Sequence, residues 1–278
     1  LKPELVKKGV QLSRITDPSI DYHYWNMQNP IVGGLSKDKI ALRRAMALAF
    51  SAENYINILQ KGDSQKLQAP IPSGVVGYDP NYRSSIPYSV KAANLLLDRY
   101  HYTVAADGWR TQPNGKPLVI EMTLSGNNLR SQQQAEFWKK TLDSIKIKMT
   151  TKSMPFAEAL KLEKQCKTMF KASAWIADYP DADNFMQLFY GKNIKITNNG
   201  CVKIPEYDRL YEQAQKMTPS PERDAIYAKM SRLLEVYMPV QVIGARYRNI
   251  LAQPRVIGFK KHPILPAEWM YIDIDLKK

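Results

Sequence analysis

The feature that most constrains the fold of this chain is an alternation of strand-like and helix-like segments in its central part. Three apolar or β-branched runs predict strands, at residues 119–124, 145–151 and 169–177. Residues 131–145 carry apolar side chains at helical spacing, and residues 155–165 begin with a proline in the first helical turn. Strands that alternate with helices predict a layered α/β domain.

The third of these strands ends abruptly in a carboxylate. The apolar run closes at Ala177 and is followed by Asp178, Tyr179 and Pro180. Because open α/β sheets bind ligands at the carboxyl ends of their strands, Asp178 is a candidate for ligand contact. The alternative is a structural role, in which Asp178 is the N-cap of a helix over residues 182–190. The residues alone leave both interpretations open.

Periodicity and turn residues predict the remaining elements. Helices are expected after Ser36, at residues 52–60, after Ser89, and along the apolar stripes of residues 207–214 and 221–237. Strands are expected at residues 22–28, 239–244, 247–252 and 269–275. Asn114-Gly115 predicts a hairpin turn, and residues 63–90 predict a long irregular segment.

The chain has two cysteines, Cys166 and Cys201, and three dispersed histidines. The cysteines could pair in an oxidising compartment, but sequence cannot rank connectivity, so the pairing stays open. A zinc site needs clustered ligands, and the chain has no CxxC. We therefore expect neither a metal nor a cofactor.

The chain is strongly basic, with 40 Lys and Arg against 26 Asp and Glu and a net charge of +14. One interpretation is a polyanion partner and the other is a basic surface that keeps the protein in solution. The charges are scattered and are not interleaved with aromatic residues, which favours the second interpretation, so no nucleic-acid partner is expected. No apolar run of 18 residues predicts a membrane span, and residues 1–9 lack the apolar block of a signal peptide.

An enzymatic interpretation would use Asp178, Asp181 and Asp183 as a carboxylate site for hydrolysis or for a divalent cation. All three lie within six residues, whereas a glycosidase pair must flank the scissile bond from opposite sides. Asp181 and Asp183 are better explained as acids in the first turn of a helix. A Ser-x-x-Lys match at residues 36–39 lacks its companion motifs. A carboxylate-dependent hydrolase is thus the distant alternative.

Several blocks, in order, resemble the second half of the periplasmic dipeptide- and oligopeptide-binding proteins of ABC importers, extracellular solute-binding protein family 5. The blocks lie at residues 42–50, 70–74, 77–80, 87–96, 174–185, 205–210 and 223–234. Two positions depart from the family pattern. Ser51-Ala52 replaces Asp-Arg, and residues 100–102 lack the glycine of the family's Ala-Gly-Tyr.

The resemblance implies an α/β lobe of the periplasmic-binding-protein type (cluster C, type II), with a mixed sheet flanked by helices. Family members are roughly twice this length, so we expect the chain to be a mature protein or an excised piece that lacks the amino-terminal lobe. Residues 1–31 would form an amino-terminal tail and a hinge-crossing strand. Residues 32–244 would form the carboxyl-proximal ligand-binding lobe, and residues 245–278 the return crossing and a remnant of the other lobe.

The resemblance also implies a function. The protein would be the substrate-binding component of an ABC importer, with Asp178 paired to the ammonium group of a peptide and Trp175 and Tyr179 walling the pocket. Core packing is the alternative for Trp175. Arg246 and Arg248 could meet a ligand carboxylate, with surface arginines as the alternative.

We accordingly expect an exported, periplasmic monomer, not an enzyme, that delivers a peptide or related small solute to an ABC permease in the inner membrane. A receptor of the same fold for a nickel chelate, a sugar or an opine is the nearest alternative.

Overall fold

A computed structural model describes residues 1–262, 264 and 268–277 of the chain. Its α-helices are α1 (Pro3–Lys7), α2 (Lys37–Ala49), α3 (Ala52–Leu59), α4 (Val90–Arg99), α5 (Leu129–Asp143), α6 (Phe156–Lys164), α7 (Asp183–Met186), α8 (Pro205–Ala214) and α9 (Pro221–Tyr237). Its strands are β1 (Gln11–Thr16), β2 (Ser19–Trp25), β3 (Ser64–Lys66), β4 (Val119–Ser125), β5 (Lys148–Met154), β6 (Phe170–Ile176), β7 (Val240–Ala252), β8 (Val256–Ile257) and β9 (Asp273–Ile274). Within these residues, no helix is both long and apolar enough to cross a membrane.

Seven strands form one mixed sheet in the order β1-β7-β2-β6-β4-β5, with β3 added against β7. Strand β4 lies between β5 and β6 and is parallel to both. Parallel neighbours need crossover connections, and α5 and α6 supply them. The other pairings of this sheet are antiparallel. The predicted β-α-β-α-β unit is therefore one half of the sheet, and the mixed α/β class expected from the sequence is confirmed.

Both faces of the sheet are covered, which explains why all seven residues of β2 are buried. One face packs against α2, α4 and α5 around Trp25, Trp138 and Phe170. The other face packs against α8 and α9, where Tyr207 and Tyr227 are buried. The edge of the sheet between these two helical layers is where the loops that follow β4, β5 and β6 emerge.

A disulfide joins Cys166, just after α6, to Cys201, in the loop before α8. The sequence left this pairing open. Both cysteines lie beside the end of β2, because Asn26 donates a side-chain hydrogen bond to the Cys166 carbonyl and Met27 donates to the Gly200 carbonyl. The bridge thus joins the loop after α6 to the loop before α8, beside the end of β2.

The structure differs from the predictions in the carboxyl-terminal region. The expected strands at 239–244 and 247–252 are one continuous strand, β7, because Ala245 and Arg246 pair with β3 instead of turning. Gly244 permits this approach, since a Cβ there would lie 2.7 Å from the Gln65 carbonyl oxygen. Only Asp273–Ile274 of the expected terminal strand is extended, paired with β8, and Glu268–Tyr271 is a 3-10 helix. Positions 263, 265–267 and 278 of the expected return segment lie outside the described residues.

Two smaller departures have local causes. Strand β5 begins at Lys148, three residues later than expected, because Lys146 takes a left-handed turn with φ +58° after α5. His101 occupies the position where the resembling family has glycine, and it adopts φ +63°, the left-handed conformation that glycine favours. The turn is therefore kept without its usual residue.

Candidate functional site

Asp178 lies at the edge of the sheet where three parallel strands end. Strand β6 stops at Ile176, and the Ala177 amide donates to the Pro18 carbonyl at 2.8 Å, which holds the chain against the start of β2. The Asp178 side chain that follows is exposed. Because β4 is parallel to β5 and to β6, the carboxyl ends of all three strands share this edge, which is the usual ligand edge of such sheets.

The carboxylate of Asp178 is held by Asn184, a fully buried residue of α7. The Asn184 side-chain oxygen accepts from the Asp178 amide at 3.2 Å and from the Trp175 indole at 2.8 Å. Its amide nitrogen donates to Asp178 Oδ2 at 3.4 Å. Within the described residues, Asp178 Oδ1 receives no hydrogen bond, so one oxygen of a fixed carboxylate is available to a ligand.

The alternative role of Asp178 as a helix cap is not seen. The N-cap of α7 is Ala182, and its helix lasts only to Met186 before continuing as 3-10 turns. The carboxylate that bonds the Asp183 amide belongs to Asp181, at 2.9 Å. The Asp183 amide, at the start of α7, is thus bonded by a carboxylate three residues later in the chain than Asp178.

Trp175 and Tyr179 flank the carboxylate along the chain. Trp175 is half-buried and packs against the core on the α8–α9 side, while its indole nitrogen is fixed by Asn184. Tyr179 is 42% exposed, and its hydroxyl donates to Asp183 Oδ2 at 2.7 Å. Burial and the hydrogen bond to Asp183 raise the pKa of Tyr179 to about 12, so the hydroxyl stays protonated. Trp175 thus combines a core contact with a position beside Asp178.

The other two acids of the expected carboxylate group have structural partners. Asp181 forms a bidentate ion pair with Arg223 of α9, at 2.7 and 2.9 Å, and bridges to Val76 of the long loop. Asp183 is bonded by Tyr179. Among the described residues, no group of three or more His, Cys, Asp or Glu side chains is arranged to hold a metal ion.

Arg246 and Arg248 are both paired within the lobe. The Arg246 Nε and Nη2 atoms bond Asp21 at 3.0 and 2.5 Å, and Gln60 also donates to that carboxylate. Arg248 bonds Asp17 at 2.8 Å. Nη1 of Arg246 has no partner among the described residues. The structure therefore places Arg246 in an ion pair of the sheet, with part of its guanidinium unused.

Arg246 also borders a cleft of about 210 Å³ on the α3–α5 side of the sheet. The cleft is lined by parts of β2, β6 and β7 and by the start of α5, with Asp21, His23, Tyr55, Arg130, Ser131, Gln134 and Arg246 as its main polar residues. Asp178 follows the end of the same strand whose residues Ala172, Ser173 and Ala174 form one wall of the cleft. The cleft that Arg246 borders and the loop that carries Asp178 are thus both adjacent to β6.

Sequence reasoning missed both Asn184 and this cleft. A buried asparagine beside Phe185 has no signature of its own, and its role depends on partners six and nine residues earlier in the chain. The cleft brings together residues from five separate segments, which no local pattern reveals.

Comparison with known proteins agrees with the fold. The model of the "Bacterial extracellular solute-binding proteins, family 5 Middle" matches residues 2–196. The di/tripeptide-binding protein 2 of Pseudomonas aeruginosa is 22% identical over 250 residues, which cover 86% of this chain and 43% of that protein. The chain therefore spans about half the length of the curated relatives it matches.

Solved structures show the same architecture. The ABC transporter-associated periplasmic binding protein DppA from Helicobacter pylori, in complex with the peptide STSA, has a TM-score of 0.78 and 20% identity over 98% of this chain and 51% of that one. NikZ from Campylobacter jejuni, in complex with Ni(L-His), has a TM-score of 0.79 and 16% identity over 96% of this chain and 54% of that one. At these identities the likeness establishes the fold of the lobe.

Proposed function

Because the chain belongs to the bacterial extracellular solute-binding proteins of family 5, we propose that it is the carboxyl-proximal lobe of a peptide receptor. The receptor would be a periplasmic monomer without enzymatic activity or cofactor, and it would hand its ligand to an ABC permease of the inner membrane. The relative from Pseudomonas aeruginosa, a di/tripeptide-binding protein by name, supports a peptide as the ligand.

The observation that carries this proposal is the exposed, oriented carboxylate of Asp178. Its Oδ2 atom is held by Asn184, and its Oδ1 atom has no hydrogen-bond partner within the described part of the chain. A ligand ammonium at this position would form a charge-assisted hydrogen bond. That bond would strengthen when a second lobe closes and excludes water, because the local dielectric falls.

The neighbouring side chains suit a peptide. We propose that Trp175 and Tyr179 contact the ligand beside Asp178, since large aromatic bodies give contact area at low entropic cost. Arg246 would contribute through Nη1, the part of its guanidinium that Asp21 leaves unused. Backbone groups at the sheet edge would bind the peptide main chain and tolerate varied side chains.

The lobe would be joined to its partner through the long strand β7. Among the described strands, residues 247–252 of β7 pair with β1 alone, as a two-stranded ribbon beyond the pairing of β7 with β2 and β3. We propose that this ribbon crosses to the other lobe. In the expected division into residues 1–31, 32–244 and 245–278, β1 and residues 247–252 would be the crossing segments, whereas β2 belongs to the lobe's own sheet.

Isothermal titration calorimetry on the intact protein, including any sequence that precedes residue 1, tests the proposal. Trialanine should bind, and N-acetyl-trialanine should bind at least tenfold more weakly, because acetylation removes the ammonium charge. Asp178→Asn should weaken trialanine binding at least tenfold, about 1.4 kcal/mol. Glu206→Gln, which removes an exposed acid on α8, is the matched control and should have no effect.

Three outcomes would refute the peptide assignment: no binding of any di- or tripeptide, equal binding of the acetylated peptide, or full affinity in Asp178→Asn. A thermal-shift screen of the same protein with Ni(L-His) and with sugars would then identify the alternative class of solute. The likeness to NikZ is the reason to include the nickel chelate.

A further inference from the structure

The end of the sheet opposite Asp178 is where the strands β4, β5 and β6 begin. The three strands are parallel, so their amino ends lie together, as their carboxyl ends do. Helices α5 and α6 return the chain to this end, because each of them connects two parallel strands. One connection leads from Asp143 to Lys148, and the other leads from Lys164 to Phe170. Both connections therefore lie at the other end of the strands from Asp178.

The two connections begin with the same turn. Lys146 and Cys166 occupy equivalent left-handed positions, with φ of +58° and +54°. Leu142 and Leu162 each accept a backbone hydrogen bond of 2.9 Å from the amide that follows the left-handed residue. This pattern satisfies carbonyl groups at a helix end with backbone amides. The helix ends therefore do not depend on lysine side chains for their hydrogen bonds.

Four lysines lie along these connections, and we call them the basic edge: Lys146, Lys148, Lys164 and Lys167. Three of them are exposed, and Lys164 is half-buried. With the described residues, none of the four ammonium groups makes an ion pair or a hydrogen bond. The basic edge therefore presents four positive charges that the fold does not use.

The nearest acids along the chain do not neutralise this charge. Asp143, at the end of α5, pairs with Lys139 at 2.7 Å. Glu163, near the end of α6, is buried and pairs with Lys171 at 2.8 Å. Both carboxylates thus already have a cationic partner outside the basic edge.

The strand register brings the two connections close together. Lys148 pairs with Val119 of β4, and Phe170 pairs with Met122, three residues further along β4. Lys167 precedes Phe170 by three residues, so the chain passes Lys167 at about the level of Lys148. Two strand spacings, about 10 Å, separate β5 from β6 across β4. The four lysines therefore form one cluster.

The chemistry of the basic edge favours an anionic bilayer. Each lysine is a single charge on a flexible stem, without the planar fork with which arginine recognises one phosphate or carboxylate. Neither connection contains an aromatic residue on which a nucleic-acid base could stack. Clusters of this size are attracted to the array of phosphate groups on an anionic membrane.

We propose that the basic edge holds the protein at the surface of an anionic phospholipid bilayer. Because the basic edge and Asp178 lie at opposite ends of the parallel strands, contact with lipid would leave the candidate ligand site free. The inference goes beyond the proposed function and does not depend on the binding of a peptide.

Vesicle flotation of the intact protein tests the inference. The protein should float with vesicles that contain phosphatidylglycerol and phosphatidylcholine, and it should not float with phosphatidylcholine alone. Added salt should release it, because exposed charges are screened. One lysine near an anionic bilayer strengthens binding about fivefold, so loss of all four should weaken it at least tenfold. The edge variant combines Lys146→Gln, Lys148→Gln, Lys164→Gln and Lys167→Gln.

A matched variant controls for net charge. It removes the same number of exposed lysines at other places on the surface: Lys8→Gln, Lys61→Gln, Lys216→Gln and Lys229→Gln. It should weaken binding to the anionic vesicles less than about threefold, because these charges lie away from the basic edge. Urea denaturation should give both variants the midpoint of the wild type, and Lys167→Gln alone should weaken flotation severalfold.

Equal losses of binding in the two variants would overturn the inference, since net charge alone would then explain them. No flotation of the wild type with anionic vesicles, or equal flotation with neutral ones, would also overturn it. A lower urea midpoint with unchanged flotation in the edge variant would assign the lysines to the helix dipoles instead. Displacement from the vesicles by a DNA duplex whose binding the edge variant loses would assign the basic edge to nucleic acid, and the bilayer would be the wrong partner.

Discussion

The Trp175 indole donates to the side-chain oxygen of Asn184 at 2.8 Å, and that same oxygen accepts from the backbone of Asp178. One buried amide therefore fixes both the aromatic side chain and the acid that follows the strand. The geometry of the candidate site depends on a residue that is itself inaccessible to a ligand.

Asn184→Ala should lower the free energy of unfolding by about 1 to 3 kcal/mol, because the Trp175 indole loses its acceptor in a partly buried position. It should also weaken peptide binding severalfold, since the Asp178 carboxylate is no longer held. Urea denaturation and calorimetry measure the two effects. Asn54→Ala, at an exposed asparagine of α3, is the control. Wild-type affinity in Asn184→Ala would contradict the positioning role.

Removing the disulfide should destabilise the lobe by about 2 to 4 kcal/mol. Cys166 and Cys201 are 35 residues apart in sequence, so the bridge closes a substantial loop in the unfolded chain. Urea denaturation with and without a reductant measures the effect. The double variant Cys166→Ser, Cys201→Ser should match the reduced wild type and should not respond to the reductant. An unchanged midpoint on reduction would contradict this.

Stability should fall as the pH drops below about 6.5 because of His23. Burial lowers the pKa of His23 from 6.5 to about 3, so between these values the unfolded chain binds a proton that the folded protein does not. Above pH 6.5 both states are neutral at this residue and no penalty exists. Between pH 7 and pH 5 the loss from His23 should be about 2 kcal/mol.

The contribution is isolated by comparing wild type with His23→Gln, which keeps an acceptor for the Trp138 indole. Urea denaturation at pH 7 and at pH 5 should show a smaller loss in the variant, since the other titrating groups are common to both proteins. Equal losses would mean that His23 is not kept neutral by the fold.

Arg246→Gln should destabilise the lobe by about 1 to 3 kcal/mol, because Asp21 is 8% exposed and would keep only Gln60 as a partner. The estimate lies below that for a fully buried pair, since the Arg246 side chain is 39% exposed. The double variant with Asp21→Asn should lose less than the sum of the single variants. Additive losses in urea denaturation would show that the pair is not coupled.

The half of the sheet that β6, β4 and β5 form could be predicted because local signals agreed there. Apolar runs predict β4 and β6, and β-branched residues predict part of β5. The side-chain oxygens of Ser51, Ser89 and Ser220 cap α3, α4 and α9, as the positions of these serines indicate. The continuity of β7 could not be predicted, since Gly244-Ala245 resembles a break until β3 pairs against it. The continuity of β7 depends on its pairing with β3, a strand that is distant in sequence.

The candidate site shows the same division. Asp178 could be placed at a strand end because a single apolar run ends there. The cleft could not be anticipated, because Tyr55, Arg130 and His23, which help to line it, come from a helix, a helix start and a strand that meet only in the folded sheet. Whether the donors and acceptors of a side chain are already paired depends on the residues that surround it in the folded protein.

The unbroken strand β7 has a mechanical consequence. The first part of β7, which starts at Val240, lies in the packed sheet, and the second part, which ends at Ala252, forms the two-stranded ribbon with β1. Such a ribbon can bend and twist, but its backbone hydrogen bonds resist stretching. A second domain attached to the far end of this ribbon would move relative to the lobe along a restricted path and at a nearly constant distance, without a rigid joint.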